Sequence, residues 1–195
     1  LAYRYWKILS FCRGLFLGAG AYVTIYVAWA APWGLAMVLL AAIAAAAAVG
    51  AILGAVLVRM DSHGATIATV ILASAAYLIG NASSAYTGGE DGVRIASSSV
   101  GVAAWNIPIG SNLAMYYVAV VPLVAIILAM WAFRNTIPWK VLQAVASNEI
   151  RAQQLGFNVS FRRFVMFTAS AAIAGLGGAF YALLMGHVTT AVLNI

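Results

Sequence analysis

From Trp33 to Val58 the chain carries no charged side chain at all, and an apolar run of that length severely limits what the chain can become. A helix that crosses a bilayer needs about 20 mostly apolar residues, because each buried backbone group must find its partner within the segment. Four further stretches qualify to within a few residues: about Leu9 to Ala31, Gly64 to Tyr86, Met115 to Phe133 and Phe164 to His187. The sequence therefore predicts an all-α, polytopic transmembrane helical bundle with about five spans. Composition agrees. Hydrophobic residues make up 65% of the chain and charged residues 7%, against roughly 25% charged in a soluble domain. So few charges cannot cover a water-facing surface of this size.

The charges that remain set the orientation. Alternating five spans puts Arg4, Lys7, Arg13, Arg59, Arg134, Lys140, Arg151, Arg162 and Arg163 on one side and Arg94 alone on the other. Lys and Arg accumulate on the cytoplasmic side, so the first side is read as inner and the protein as multi-pass. Arg13 falls inside the first apolar run, where its long stem would snorkel to the interface or the segment would be broken. The net charge of +6 belongs to this pattern, so no nucleic-acid partner is expected, while membrane lipid is. Trp29 and Trp33 flank the outer end of the first hairpin, and Trp131 and Trp139 the inner end of the fourth span, at the level of an aromatic belt. Pro32 leaves almost no loop between the first two spans. Cys12 is the single cysteine, so no internal disulfide exists. The chain opens on Leu1 without a signal-peptide pattern and closes after a long apolar run, which reads as a fragment of a longer subunit.

Two connections are long. The outer one, about Thr87 to Ala114, is rich in Gly and Ser. The inner one, residues 134–163, contains a helical stretch that Pro138 suits as a first turn and Gly156 as a stop. Val141, Leu142, Val145, Ala152 and Leu155 recur along it at roughly helical spacing. This predicts an amphipathic helix on the cytoplasmic face, whose apolar side must be covered by lipid, by the rest of the chain or by another subunit.

Small residues recur four apart at Gly14/Gly18, Ala46/Gly50/Gly54, Ala171/Gly175 and Ala174/Gly178, the spacing that lets helices approach closely in lipid. Chemistry-bearing patterns are scarce. Neither lysine follows a glycine, so the sequence contains no phosphate-binding P-loop. His63 and His187 fall at opposite faces, no spaced metal-ligand cluster occurs, and no acid lies deep in a span. No base stands near a serine at depth, so no enzyme activity, metal or cofactor is expected. Thr66, Thr69, Tyr77 and Asn81 on the third span, with Ser83 and Ser84 near its outer end, are the polar residues left. Either they line a substrate pathway or they hydrogen-bond between helices, the commoner use of such groups in lipid.

Several segments resemble one family in the same order along the chain. Leu9-Ser10-Phe11 through Gly18-Ala19-Gly20-Ala21-Tyr22 comes first, then Arg59 to Gly64 with Ala68-Thr69-Val70, then Thr87-Gly88-Gly89-Glu90-Asp91-Gly92. The strongest is Ala144-Val145-Ala146-Ser147-Asn148-Glu149-Ile150-Arg151-Ala152-Gln153-Gln154-Leu155-Gly156-Phe157-Asn158, followed by Gly175-Leu176-Gly177-Gly178-Ala179-Phe180-Tyr181-Ala182. Together they resemble the permease subunits of branched-chain amino acid ABC transporters, of the LivM type. Cys12-Arg13 stand where that family usually has Gly-His, and His63-Gly64-Ala65-Thr66 lacks its aromatics.

The resemblance implies a single transmembrane permease domain over residues 1–195, with residues 134–163 as a cytoplasmic coupling loop. In such importers a loop of this kind docks on a separate ATPase subunit, which here implies contacts through Ala144, Asn148, Glu149, Ala152, Gly156 and Asn158. ATPase subunits, a second permease subunit and an extracytoplasmic substrate-binding protein are the implied partners, in a bacterial-type inner membrane. The implied cargo is branched-chain or other apolar amino acids. Permeases of the same family for urea or short amides, and an ion-coupled secondary transporter with a site at broken helices, are the alternative readings.

Overall fold

The computed structural model describes residues 12–30, 34–60, 62–89, 91–94, 99–102, 105–108, 112–147 and 149–194. The expected start of the first span at Leu9, the hairpin residue Pro32, the belt residue Trp33 and Asn148 lie outside them, as does the side chain of Glu149. Helices fill the five apolar stretches: α1 (Arg13–Ala30), α2 (Leu35–Leu57), α3 (Ser62–Ala82), α5 (Asn112–Phe133) and α8 (Val159–Met185). Three segments are each long and apolar enough to cross a membrane: Leu35–Leu57, Gly64–Ala82 and Val159–Met185. A fourth candidate is the pair Ala119–Phe133 and Ile137–Val145, bent by 81° at its break. The expected five thus become three or four by this measure. α1, which opens on the charge of Arg13, is not among these segments.

The core is a trio made of α1, α2 and α8, and its geometry follows from where the small residues fall. On α2 the buried face runs Val38, Ala42, Ala46, Gly50, Gly54, Leu57, mostly four apart. On α8 it runs Phe167, Ala171, Gly175, Gly178, Ala179 and Ala182. These stripes meet: a Cβ added at Gly50 would overlap Ala171 Cβ, and one at Gly175 would overlap Ala46 Cβ and lie 3.0 Å from the Ala42 carbonyl oxygen. α1 closes the third side. A Cβ at Gly178 would overlap the Leu17 carbonyl oxygen, and one at Gly20 the Gly175 carbonyl oxygen. In lipid the solvent is as apolar as the side chains, so packing rather than hydrophobicity decides which faces join. Phe16 and Phe167 add an edge-to-face pair at 5.5 Å beside Cys12 and Leu57.

α8 starts where Asn158 accepts a hydrogen bond from the Phe161 amide at 3.0 Å, an N-cap, and ends at Gly186 in the left-handed conformation. α5 contains Pro122, which removes one helical hydrogen bond without ending the helix. In the inner loop, helix covers Ile137–Ser147 (α6) and Glu149–Gln154 (α7), on either side of Asn148, which lies outside the described residues. The outer connection, rich in Gly and Ser, begins with a single turn, α4 (Ser84–Thr87), and carries three short strands among its described residues. β1 (Val93–Arg94) pairs antiparallel with β4 (His187–Val188), in the register Val93 with Val188 and Arg94 with His187. β2 (Ser99–Val102) pairs with β3 (Trp105–Pro108), Ser99 opposite Pro108 and Val102 opposite Trp105.

Candidate functional site

Two places bring polar or exposed functional residues together. The first is at the outer end of α3. After α8 the chain reverses at Gly186, pairs β4 with β1, and returns as a short 3-10 helix, Thr190–Asn194, wedged between α1 and α3. Glycines open the wedge. Leu193 sits against both Gly18 of α1 and Gly80 of α3, where a Cβ would collide with its side chain. Val188, Thr190, Val192 and Leu193 are buried there.

Hydroxyls fasten this returning segment. Thr190 Oγ1 donates to Asn81 Oδ1 at 2.6 Å and lies 3.3 Å from the Gly89 carbonyl oxygen. Thr87 Oγ1 donates to the Gly80 carbonyl at 2.6 Å, and the Gly89 amide donates back to Thr87 Oγ1 at 3.3 Å. From α1, the Tyr22 hydroxyl donates to the Thr87 carbonyl at 3.4 Å, and the Tyr26 hydroxyl to the Tyr86 carbonyl. The close approach of the strands also needs a glycine: a Cβ at Gly92 would overlap the Val188 carbonyl oxygen. Each of these hydroxyls is matched by a carbonyl or amide oxygen.

The four candidate pathway residues spread along α3 instead of forming one site. Thr66 and Asn81 are fifteen positions apart, about 22 Å at 1.5 Å per residue. Thr69 is buried; its hydroxyl donates to the Thr66 carbonyl at 2.7 Å, and its own carbonyl accepts from Cys12 Sγ at 3.2 Å. Tyr77 is half-buried. Asn81 joins the returning segment. Thr69 and Asn81 thus make contacts between segments. Thr190, Thr87, Tyr22 and Tyr26 were not singled out from the sequence, although a Thr189-Thr190 pair just past an apolar run was the available signal.

The second place is the inner loop. After α5 the chain bends by 81° into α6. Its apolar face is covered by the chain itself: Trp139, Leu142 and Val145 are buried, and Val145 clusters with Ala152 and Val159. Ala152 is 2% exposed, so it faces inward. The outward surface includes Ala144, Gln153, Gln154, Leu155 and Gly156, with Leu155 73% exposed.

The turn after α7 explains Gly156. Its φ is +82°, the Phe157 amide donates to the Ala152 carbonyl at 3.2 Å, and the Gly156 amide donates to the Gln153 carbonyl at 2.9 Å. Those two bonds make a Schellman motif, with Gly156 as its left-handed residue. Asn158 follows as the cap of α8. Gly156 and Asn158 thereby set the angle between loop and core helix, and Ala144 lies on the open side of α6. Nothing lies within 4 Å of the Cβ position of Gly156, so that side of the turn is free to receive a partner.

Comparison with curated proteins and with solved structures returns no match. Residues 1–194 match the family described as the branched-chain amino acid transport system / permease component. The match covers the core trio, the returning segment and the inner loop together, and the apolar spans suit a transport subunit. The chain belongs to the family of branched-chain amino acid transport permease components.

Proposed function

We propose that the chain is a LivM-type permease subunit of an ATP-driven importer of branched-chain or other apolar amino acids in a bacterial-type inner membrane. It works with cytoplasmic ATPase subunits, a second permease subunit and an extracytoplasmic binding protein, and has no catalytic residues of its own. The observation that carries this reading is the exposed loop surface around Ala144, Leu155 and Gly156, joined through the Schellman turn and Asn158 to α8. α8 is clamped against α1 and α2 by glycines, so a push on the loop reaches the core as a rigid-body movement and is not lost in side chains.

The residues divide the work. Ala144, Leu155 and Gly156 form the outward docking surface, and Asn148 and Glu149 of the same loop are proposed as further contacts. Ala152 and Asn158 act from behind, by holding α7 to Val145 and Val159 and by capping α8. Thr66 and Tyr77 remain the polar side chains of α3 proposed to face the pathway.

A test must spare the turn, since any side chain at Gly156 meets a positive φ. Ala144→Trp and Leu155→Glu both change exposed positions. With the complete transporter co-expressed and purified in nanodiscs, the double variant is expected to insert normally and lose co-purifying ATPase. Full ATPase retention by the double variant sinks the docking surface.

A further inference from the structure

A groove of about 370 Å³ runs between α5, α6 and α8, lined by Ile126, Met130, Phe133, Trp139, Met166 and Ile173, with the small faces of Ala129 and Ala169 between them. Its wall is almost wholly apolar. A 10 Å length of helix about 10 Å across would fill roughly 800 Å³, so the groove seats a flexible hydrocarbon chain and not a partner helix.

Its inner rim has a different character. Phe133 is followed directly by Arg134, and Trp139 directly by Lys140, both exposed. On α8, Arg162 precedes Met166, Ala169 and Ile173 at helical spacing, which puts it on the same face one turn further in. Arg162 thus shares the groove-lining face of α8, while Arg134 and Lys140 are the next residues in the chain after the lining Phe133 and Trp139. From Asn112 to Asn194 the sequence has five Lys/Arg and a single acid, Glu149. Phe133 and Trp139 stand edge to face at 6.0 Å at this end of the groove.

We propose that this groove binds one anionic phospholipid of the inner leaflet, an acyl chain between α5 and α8 and the phosphate held by Arg134, Lys140 and Arg162. Basic pockets between spans on the cytoplasmic side are suited to such headgroups. The lipid would fill the gap that leaves α5 loosely joined to the core and tie it to α8. The inference needs only the membrane-crossing arrangement and the inward position of the basic residues, so it stands or falls separately from the transporter reading.

The experiment is native mass spectrometry of the purified full-length protein supplied with phosphatidylglycerol and phosphatidylcholine in equal amounts. Wild type is expected to retain phosphatidylglycerol at least ten-fold over phosphatidylcholine. Replacing Arg134, Lys140 and Arg162 with Gln should remove that preference, at roughly five-fold per cation. Ala169→Trp, at an exposed position inside the groove, should displace both lipids. Because variants can misfold, the wild type is also labelled with a photoactivatable phosphatidylglycerol carrying the reactive group on its acyl chain. Label on residues 126–133 and 166–173 supports the site. Equal retention of the two lipids, label only elsewhere, or a lipid-free dimer of the chain closing the groove overturns it.

Discussion

α2 and α5 are both long, apolar helices of similar length, 23 and 22 residues, yet one is packed and the other stands almost free. α2 carries Gly50 and Gly54 on one stripe and meets α8 at backbone distance. α5 has no glycine, and Val121, Leu123, Val124, Ile127, Leu128, Met130 and Trp131 are all exposed on it. Hydrophobicity cannot separate the two, because lipid rewards an apolar face as well as protein does. Small residues separate them, since only a smooth stripe allows enough van der Waals contact to displace lipid. The packed trio is accordingly the rigid part of the permease, and α5 with α6 is an arm whose remaining surface is left to lipid or to other subunits.

The comparison breaks most sharply at Gly178. Gly178→Val would drive a branched side chain into the Leu17 carbonyl and the Ala21 amide. Added bulk in a packed core costs about 1–3 kcal/mol, and a clash with backbone more, so gel filtration should show loss of the monodisperse protein. Ala125→Val, which puts the same side chain on the exposed side of α5, should elute unchanged. Equal damage at both sites would mean that α5 is packed as tightly as the trio.

The next largest effect concerns the returning segment. Thr190→Val leaves Asn81 Oδ1 without its donor and should cost about 1–2 kcal/mol in detergent unfolding. Combined with Asn81→Leu, the loss should be smaller than the sum by about 1 kcal/mol, the mark of a direct bond. Strict additivity would show that the two residues do not meet. Gly156→Ala is smaller again, about 1 kcal/mol, because the cost is the positive φ and no neighbour obstructs the new methyl. Leu128→Ala, on the free face of α5, should lie within about 0.5 kcal/mol of wild type.

Much of the helical layout could be read from the sequence, for reasons visible in particular residues. Helix ends fell within a few positions because apolar run length and the Lys/Arg breaks report them directly. Gly156 was legible as a stop, since a left-handed turn selects glycine. The stripes Ala46/Gly50/Gly54 and Ala171/Gly175 proved to face each other, but nothing in either stripe names its partner. The wedge of Thr190–Asn194 was not legible. Its contact with Asn81 joins residues 109 apart, and two-residue strands such as β1 and β4 leave no periodic trace. Ala152 illustrates a different limit: its spacing showed that it lies on an apolar face, and only the fold showed that Val145 and Val159 cover that face.

The most direct measurement is uptake of radiolabelled leucine by proteoliposomes holding the complete transporter, with its binding protein outside and ATP enclosed. The account expects accumulation that requires ATP, persists when Na⁺ and proton gradients are collapsed, and fails for the Ala144→Trp, Leu155→Glu variant. Accumulation without ATP that follows an imposed ion gradient would contradict it and make the chain part of an ion-coupled transporter.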